Sequence, residues 1–110
     1  MIDPATVKAV IEQYKKHGWV LRRVLFSAPL SPEVAELTAG ASDHASAIDA
    51  LWFSRRSQPD CEAWELRRLS GSPFALVQVV EDGTDPDEFD AILGAVELRM
   101  SAAGSGPISH

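Results

Sequence analysis

Val7, Val10, Ile11 and Tyr14 recur at helical spacing while Lys8, Glu12, Lys15 and Lys16 take the other side, so the chain opens on an amphipathic helix. Asp3 before Pro4 marks its start, an acceptor side chain followed by a residue whose missing N–H costs nothing in the first turn. Gly18 ends it, after Lys15, Lys16 and His17 have set positive charge at the negative end of the helix dipole. The period then falls to two. Across residues 19–26, Trp19, Leu21 and Leu25 share one face with Arg23, and Val20, Val24 and Phe26 share the other with Arg22. A strand that is apolar on both sides calls for packing on both.

Small and turn-forming residues fill positions 27–47. Within them Ser31-Pro32-Glu33 predicts a short capped helix to about Thr38, stopped by Gly40, and residues 41–46 read as a loop. Residues 48–56 and 61–69 are strand-like and flank Ser57-Gln58-Pro59-Asp60, a hairpin turn. Centring that turn between Gln58 and Pro59 pairs Arg55 with Glu62, Phe53 with Trp64, Leu51 with Leu66 and Asp49 with Arg68. A second turn at residues 70–73 leads to a strand over 74–80, with Leu66 opposite Val77 and Trp64 opposite Val79, which extends one apolar face, the expected core, across three strands. Asp82-Gly83 breaks that strand. The run Thr84-Asp85-Pro86-Asp87-Glu88 then starts a helix whose stripe of Phe89, Ile92, Leu93, Val96 and Met100 carries it to about Met100.

The fold class expected from this order is α+β: a four-stranded antiparallel sheet made of a first strand and a three-strand meander. The N- and C-terminal helices pack on one face, and the short helix lies between the first two strands. Residues 1–102 form the domain, and residues 103–110, with Gly104-Ser105-Gly106-Pro107, a flexible tail.

Composition narrows the function. With 110 residues, 45% of them apolar, the chain has enough core to fold without a disulfide or structural metal. Cys61 is the single cysteine, which fits a reducing compartment and makes the cytoplasm the expected location. No segment approaches the ~18 consecutive apolar residues of a membrane span. Sixteen acidic against ten basic residues give a net charge of −6, which repels a phosphate backbone, so neither nucleic acid nor membrane is an expected partner.

The phrase Trp-x-x-Arg-Arg occurs three times, at residues 19–23, 52–56 and 64–68, which puts all three tryptophans and six of the ten basic residues in strand-like segments. Adjacent arginines on a strand point oppositely and cannot converge on one ligand. The registers above place Trp52, Glu65 and Gln78 in one row of the second sheet face and Ala50, Arg67 and Leu76 in the next. That face is too apolar for water, and either a second chain or the 27–47 segment must cover it. A symmetric homodimer through Trp52, Glu65, Arg67, Leu76 and Gln78 is the expectation.

Catalytic chemistry finds little support. His17, His44 and His110 lie far from one another and from Cys61, without zinc-ligand spacing, and the six acids between Glu81 and Asp90 suit a helix start rather than a calcium loop. His44 beside Asp43 and Ser42 lacks a nucleophile elbow. No catalytic residue, metal or cofactor is assigned. The expectation is a non-enzymatic protein-interaction module. One alternative is a small-molecule protein, binding an anion or catalysing a reaction in a pocket under the 27–47 segment, with Arg56, Arg67, His44 and Cys61 as candidate contacts. Another, resting on size and charge, is an acidic chaperone-like or toxin-neutralising partner protein.

Overall fold

A computed structural model of the protein describes residues 2–69 and 74–105, with side chains through Ala102. Helix α1 (Pro4–Lys16) leads into β1 (Val20–Phe26), α2 (Pro32–Leu37) and β2 (Ser42–Ala45), followed by β3 (Ala50–Gln58), β4 (Cys61–Arg68), β5 (Ala75–Glu81) and α3 (Pro86–Ser105). The strands form one mixed sheet in the order β2-β1-β3-β4-β5, in which β1 and β2 run parallel and every other pair is antiparallel.

The α+β class holds, but the sheet has five strands and not four. The added strand is β2, in the stretch read as a loop. Its sequence, Ser-Asp-His-Ala, has no apolar alternation to announce it; backbone pairing beside β1 makes it a strand, with Ser46 N–H donating to the Phe26 carbonyl just beyond it at 2.9 Å. A parallel neighbour needs a crossover connection, and α2 supplies it. Ser31 caps that helix as expected, its hydroxyl accepting from Val34 N–H at 3.3 Å. Asp3 occupies the N-cap of α1 but accepts from the Thr6 hydroxyl instead of a backbone N–H.

The two longer helices lie on opposite faces, against the expectation of a shared one. Val7, Val10 and Val34 of α1 and α2 pack with Val24, Leu51 and Phe53, whereas Leu93, Val96 and Met100 of α3 pack with Leu25, Ala50, Trp52, Trp64, Leu66 and Val80. The cause lies in β3. Ala50-Leu51-Trp52-Phe53 is apolar at every position, and such a run is stable only when both of its faces leave water.

Both expected registers are one residue out. Trp52 pairs with Leu66, Phe53 with Glu65 and Ser54 with Trp64, while β4 and β5 pair Leu66 with Leu76 and Trp64 with Gln78. Pro59 and Asp60 make a two-residue turn closed by Gln58 and Cys61, and an irregularity between Arg56 and Gln58 then resets the ladder. The expected ion pairs dissolve with the register. Arg55 donates to the His17 carbonyl at 2.9 Å, and the buried Asp49 accepts from the backbone N–H and hydroxyl of Ser27 at 2.7 and 3.0 Å. The turn assigned to residues 70–73 lies outside the described residues, as do residues 106–110 of the tail; residues 103–105 continue α3.

Candidate functional site

On the α1 side, the two helices cover β1 and β3 and stop there. Tyr14 marks the margin. Its ring stacks on Phe53 with centroids 4.1 Å apart, and its hydroxyl donates a hydrogen bond to Glu65 of β4. Because side chains alternate along a strand, the same face carries Cys61, Ala63, Glu65 and Arg67 on β4, and the register adds Glu81, Val79, Val77 and Ala75 on β5. The β4 residues are half-buried, while Val77 and Val79 are 54% and 49% exposed. The result is a shelf, floored by β4 and β5 and walled by α1.

Where the shelf meets the wall, Gln13, Tyr14, His17, Trp19, Glu65 and Arg67 line an open cavity of about 290 Å³. Burial, then the hydrogen bond to Glu65 and its negative charge, pushes the Tyr14 phenol well above its ordinary range, against a smaller opposing pull from Arg67. Tyr14 is therefore a neutral donor at physiological pH, and Glu65 its fixed acceptor.

The outer rim of the shelf is a strand edge with no further strand beside it among the described residues. Arg68 N–H donates to the Phe74 carbonyl at 2.9 Å and Asp82 N–H to the Asp60 carbonyl at 2.8 Å, so even-numbered residues of β5 address β4. The N–H and C=O groups of Ala75, Val77, Val79 and Glu81 accordingly point away from the sheet, where the Val79 carbonyl accepts from the Gln78 side chain at 3.1 Å and the Glu81 carbonyl from the Thr84 hydroxyl at 2.6 Å.

The five residues expected to form one interface are divided between the two faces. Glu65 and Arg67 lie on the shelf, but Trp52, Leu76 and Gln78 face α3. Trp52 is fully buried, edge-on to Trp64, and its indole N–H donates to Glu97 of α3 at 2.8 Å. The scheme fails through register: one step turns Trp52 and Leu76 inward and Val77 and Val79 outward. Those two valines, assigned to the core from sequence, are the surface residues that the reading missed, and Tyr14 was taken as helix core alone.

The candidate ligand contacts are also dispersed. Arg67 reaches the cavity and donates to the Arg68 carbonyl at 2.6 Å. Arg56 and Cys61 sit at the β3–β4 tip, where Arg56 binds both carboxylate oxygens of Asp82 at 2.9 Å. Desolvation, then Asp60, Glu81 and Asp82, push the Cys61 thiol up, away from the thiolate a nucleophile needs. His44 lies on β2 at the opposite edge of the sheet, its Nε2 buried and without a hydrogen-bond partner among the described residues. A cavity does adjoin the 27–47 segment, lined by Ala28, Pro29, Leu30, Ser31, Glu33 and Asp49 with Ile2 and Pro4, but none of the four candidates reaches it. Its charged groups are acids, which disfavours an anion there.

The other repeated arginines have structural partners. Arg22 donates to the Ser54 hydroxyl at 2.8 Å; Arg23 pairs with Asp90 at 3.0 Å over the Phe89 ring; Arg55 lies over Trp19 and Arg68 over Phe74. Among the described residues, no helix is long and apolar enough to cross a membrane, and no three His, Cys, Asp or Glu are grouped to hold a metal ion. Fold and site define, among the described residues, an α+β protein with an unpaired β5 edge and a half-covered sheet face. Compared with protein-family models, curated proteins and solved structures, the chain matches none.

Proposed function

We propose that the chain is a non-enzymatic protein-interaction module of the cytoplasm, in the first place a homodimer, which associates through the uncovered β4–β5 part of its sheet. The observation that carries this reading is the exposure of Val77 and Val79, adjacent on one face and bordered by Ala63 and Ala75. Strand valines in water forgo the burial that fits them to a sheet, and an apolar patch on an otherwise acidic surface is a point of association. A second copy is the first partner to test, because most soluble oligomers are symmetric homo-oligomers.

Sedimentation velocity across the micromolar range tests this. The expected result is a species of twice 11.9 kDa that reverts to monomer on Val79→Lys without loss of thermal stability. A strict monomer at every concentration rejects the homodimer.

The cavity favours a second reading, binding of a small polar ligand. Arg67 offers charge to a carboxylate, and the Tyr14–Glu65 pair and Gln13 offer directional hydrogen bonds. Saturating carboxylates, amino acids or nucleotides, at ~100 times their dissociation constant, should then add about 2.7 kcal/mol of stability. Unchanged melting with all of them rejects it.

A further inference from the structure

We infer that two copies of this chain join edge to edge through β5, antiparallel and centred on Gln78, so that two five-stranded sheets become one continuous sheet. This rests on the association reading and specifies its geometry.

The two edges of the sheet differ. β2 is four residues long and polar, with Asp43 and His44 along it, which are the features that discourage pairing. β5 has seven residues, contains neither proline nor lysine, and carries its one charge, Glu81, at the end. Its ladder with β4 runs without a register shift from Cys61–Glu81 to Arg67–Ala75, so no bulge twists the edge away. The short edge is guarded and the long one is open.

The backbone restricts the register. The outward groups belong to Ala75, Val77, Val79 and Glu81, and a new ladder forms only where outward residues stand opposite one another. Centring on Gln78 does this over the whole strand: Ala75 meets Glu81 of the second copy and Val77 meets its Val79. All the outward N–H groups then meet acceptors: the Val79 carbonyl takes Val77 N–H of the second copy in place of the Gln78 side-chain amide, and the Glu81 carbonyl takes Ala75 N–H on its second lone pair, beside Thr84. A shift by one residue sets outward groups against inward ones and leaves no ladder.

Side chains favour the same arrangement. On the shelf side, Val77 and Val79 of both copies merge into one patch, which shields them from water. Charge selects the antiparallel sense. Arg67 and Arg68 stand on β4 beside the Phe74 end of β5, and Glu81 at its other end, where Asp82 is already paired with Arg56, so a two-fold axis through Gln78 brings unlike ends together. Parallel pairing would set acid against acid. On the other face, Asp90 and Glu97 turn one flank of α3 toward β1 and β3. The opposite flank carries Glu88, Ile92, Ala95 and Arg99 at helical spacing, and the same axis directs Glu88 toward Arg99 of the second copy. Specific interfaces commonly bury about 1,200 Å² or more in total, so the α3 flanks have to contribute beside the paired edges.

The test compares wild type with two variants by sedimentation. Val77→Pro removes an N–H that β4 does not use and so blocks only the outer edge; Ala63→Glu charges the shelf floor and leaves the edge intact. Edge pairing predicts that Val77→Pro weakens the dimer roughly tenfold or more, from two lost hydrogen bonds per dimer, while Ala63→Glu leaves it in place. A dimer retained by Val77→Pro and lost in Ala63→Glu overturns edge pairing but keeps association through the shelf face. A monomeric wild type overturns both. Amide hydrogen exchange of the unmodified chain decides the matter even if Val77→Pro does not fold: Val77 and Val79 amides should be protected in concentrated solution and exchange freely on dilution. Equal exchange at both concentrations overturns the edge pairing.

Discussion

Trp52 shows how much one register step decides. Read as an interface anchor, it is instead a fully buried core residue with its indole N–H on Glu97, tying the sheet to α3. Trp52→Ala should therefore cost about 3–5 kcal/mol in urea unfolding, with loss of the folded state and not clean dissociation. Trp52→Phe keeps most of the volume and removes the donor, so about 1 kcal/mol is expected. Tyr14 gives a second prediction, with a definite sign. Its folded-state ionisation lies above the ordinary value of about 10, so the stabilisation it brings is intact below that pH and is lost as pH rises beyond it, where the unfolded chain ionises first. Wild type should lose stability on alkaline titration more steeply than Tyr14→Phe. Because Tyr14 is the only tyrosine, tyrosinate absorbance follows it directly.

At the scale of elements, the local signals were legible and the long-range ones were not. Ser31-Pro32 and Asp85-Pro86 mark helix starts that the structure contains, with Ser31 accepting from Val34 N–H and Asp85 from Asp87 N–H. A cap is a contact within one turn, so a few residues encode it. Ser31→Ala should accordingly lower stability by about 1 kcal/mol in chemical denaturation, since α2 carries the crossover between β1 and β2. The irregularities between Leu21 and Arg23 and between Arg56 and Gln58 have no such signature, yet they set which side chains face which helix. In β1 the irregularity separates Trp19, packed on the α1 side, from Arg23, which reaches Asp90 of α3; simple alternation had put them on one face.

At the scale of the whole molecule, three layers place the most protected strand at the centre. Residues 50–54 of β3 are buried on both faces, so their amides should be the slowest to exchange, and those of the short edge strand β2 among the fastest. A reversed order in native-state hydrogen exchange would contradict the layering. The shelf has the same origin. With α1 and α2 seated over β1 and β3, the sheet extends two strands beyond its cover, and Val77 and Val79 are bare because the helices end there, not because their sequence is polar.

The amino-acid order alone determined the α+β class, the helices, four of the five strands, and the need for cover on both sides of the sheet. These follow from periodicity and caps, which are local. The tertiary structure decided which helix covers which face, where β2 pairs, and that the open surface is the β5 edge with its two valines. Alternation separates the two sides of a strand without saying which partner each will meet, and where both sides of β3 are apolar the pattern fits either choice. Only the turn at Pro59-Asp60, the shift beside Arg56 and the reach of α1 resolve it.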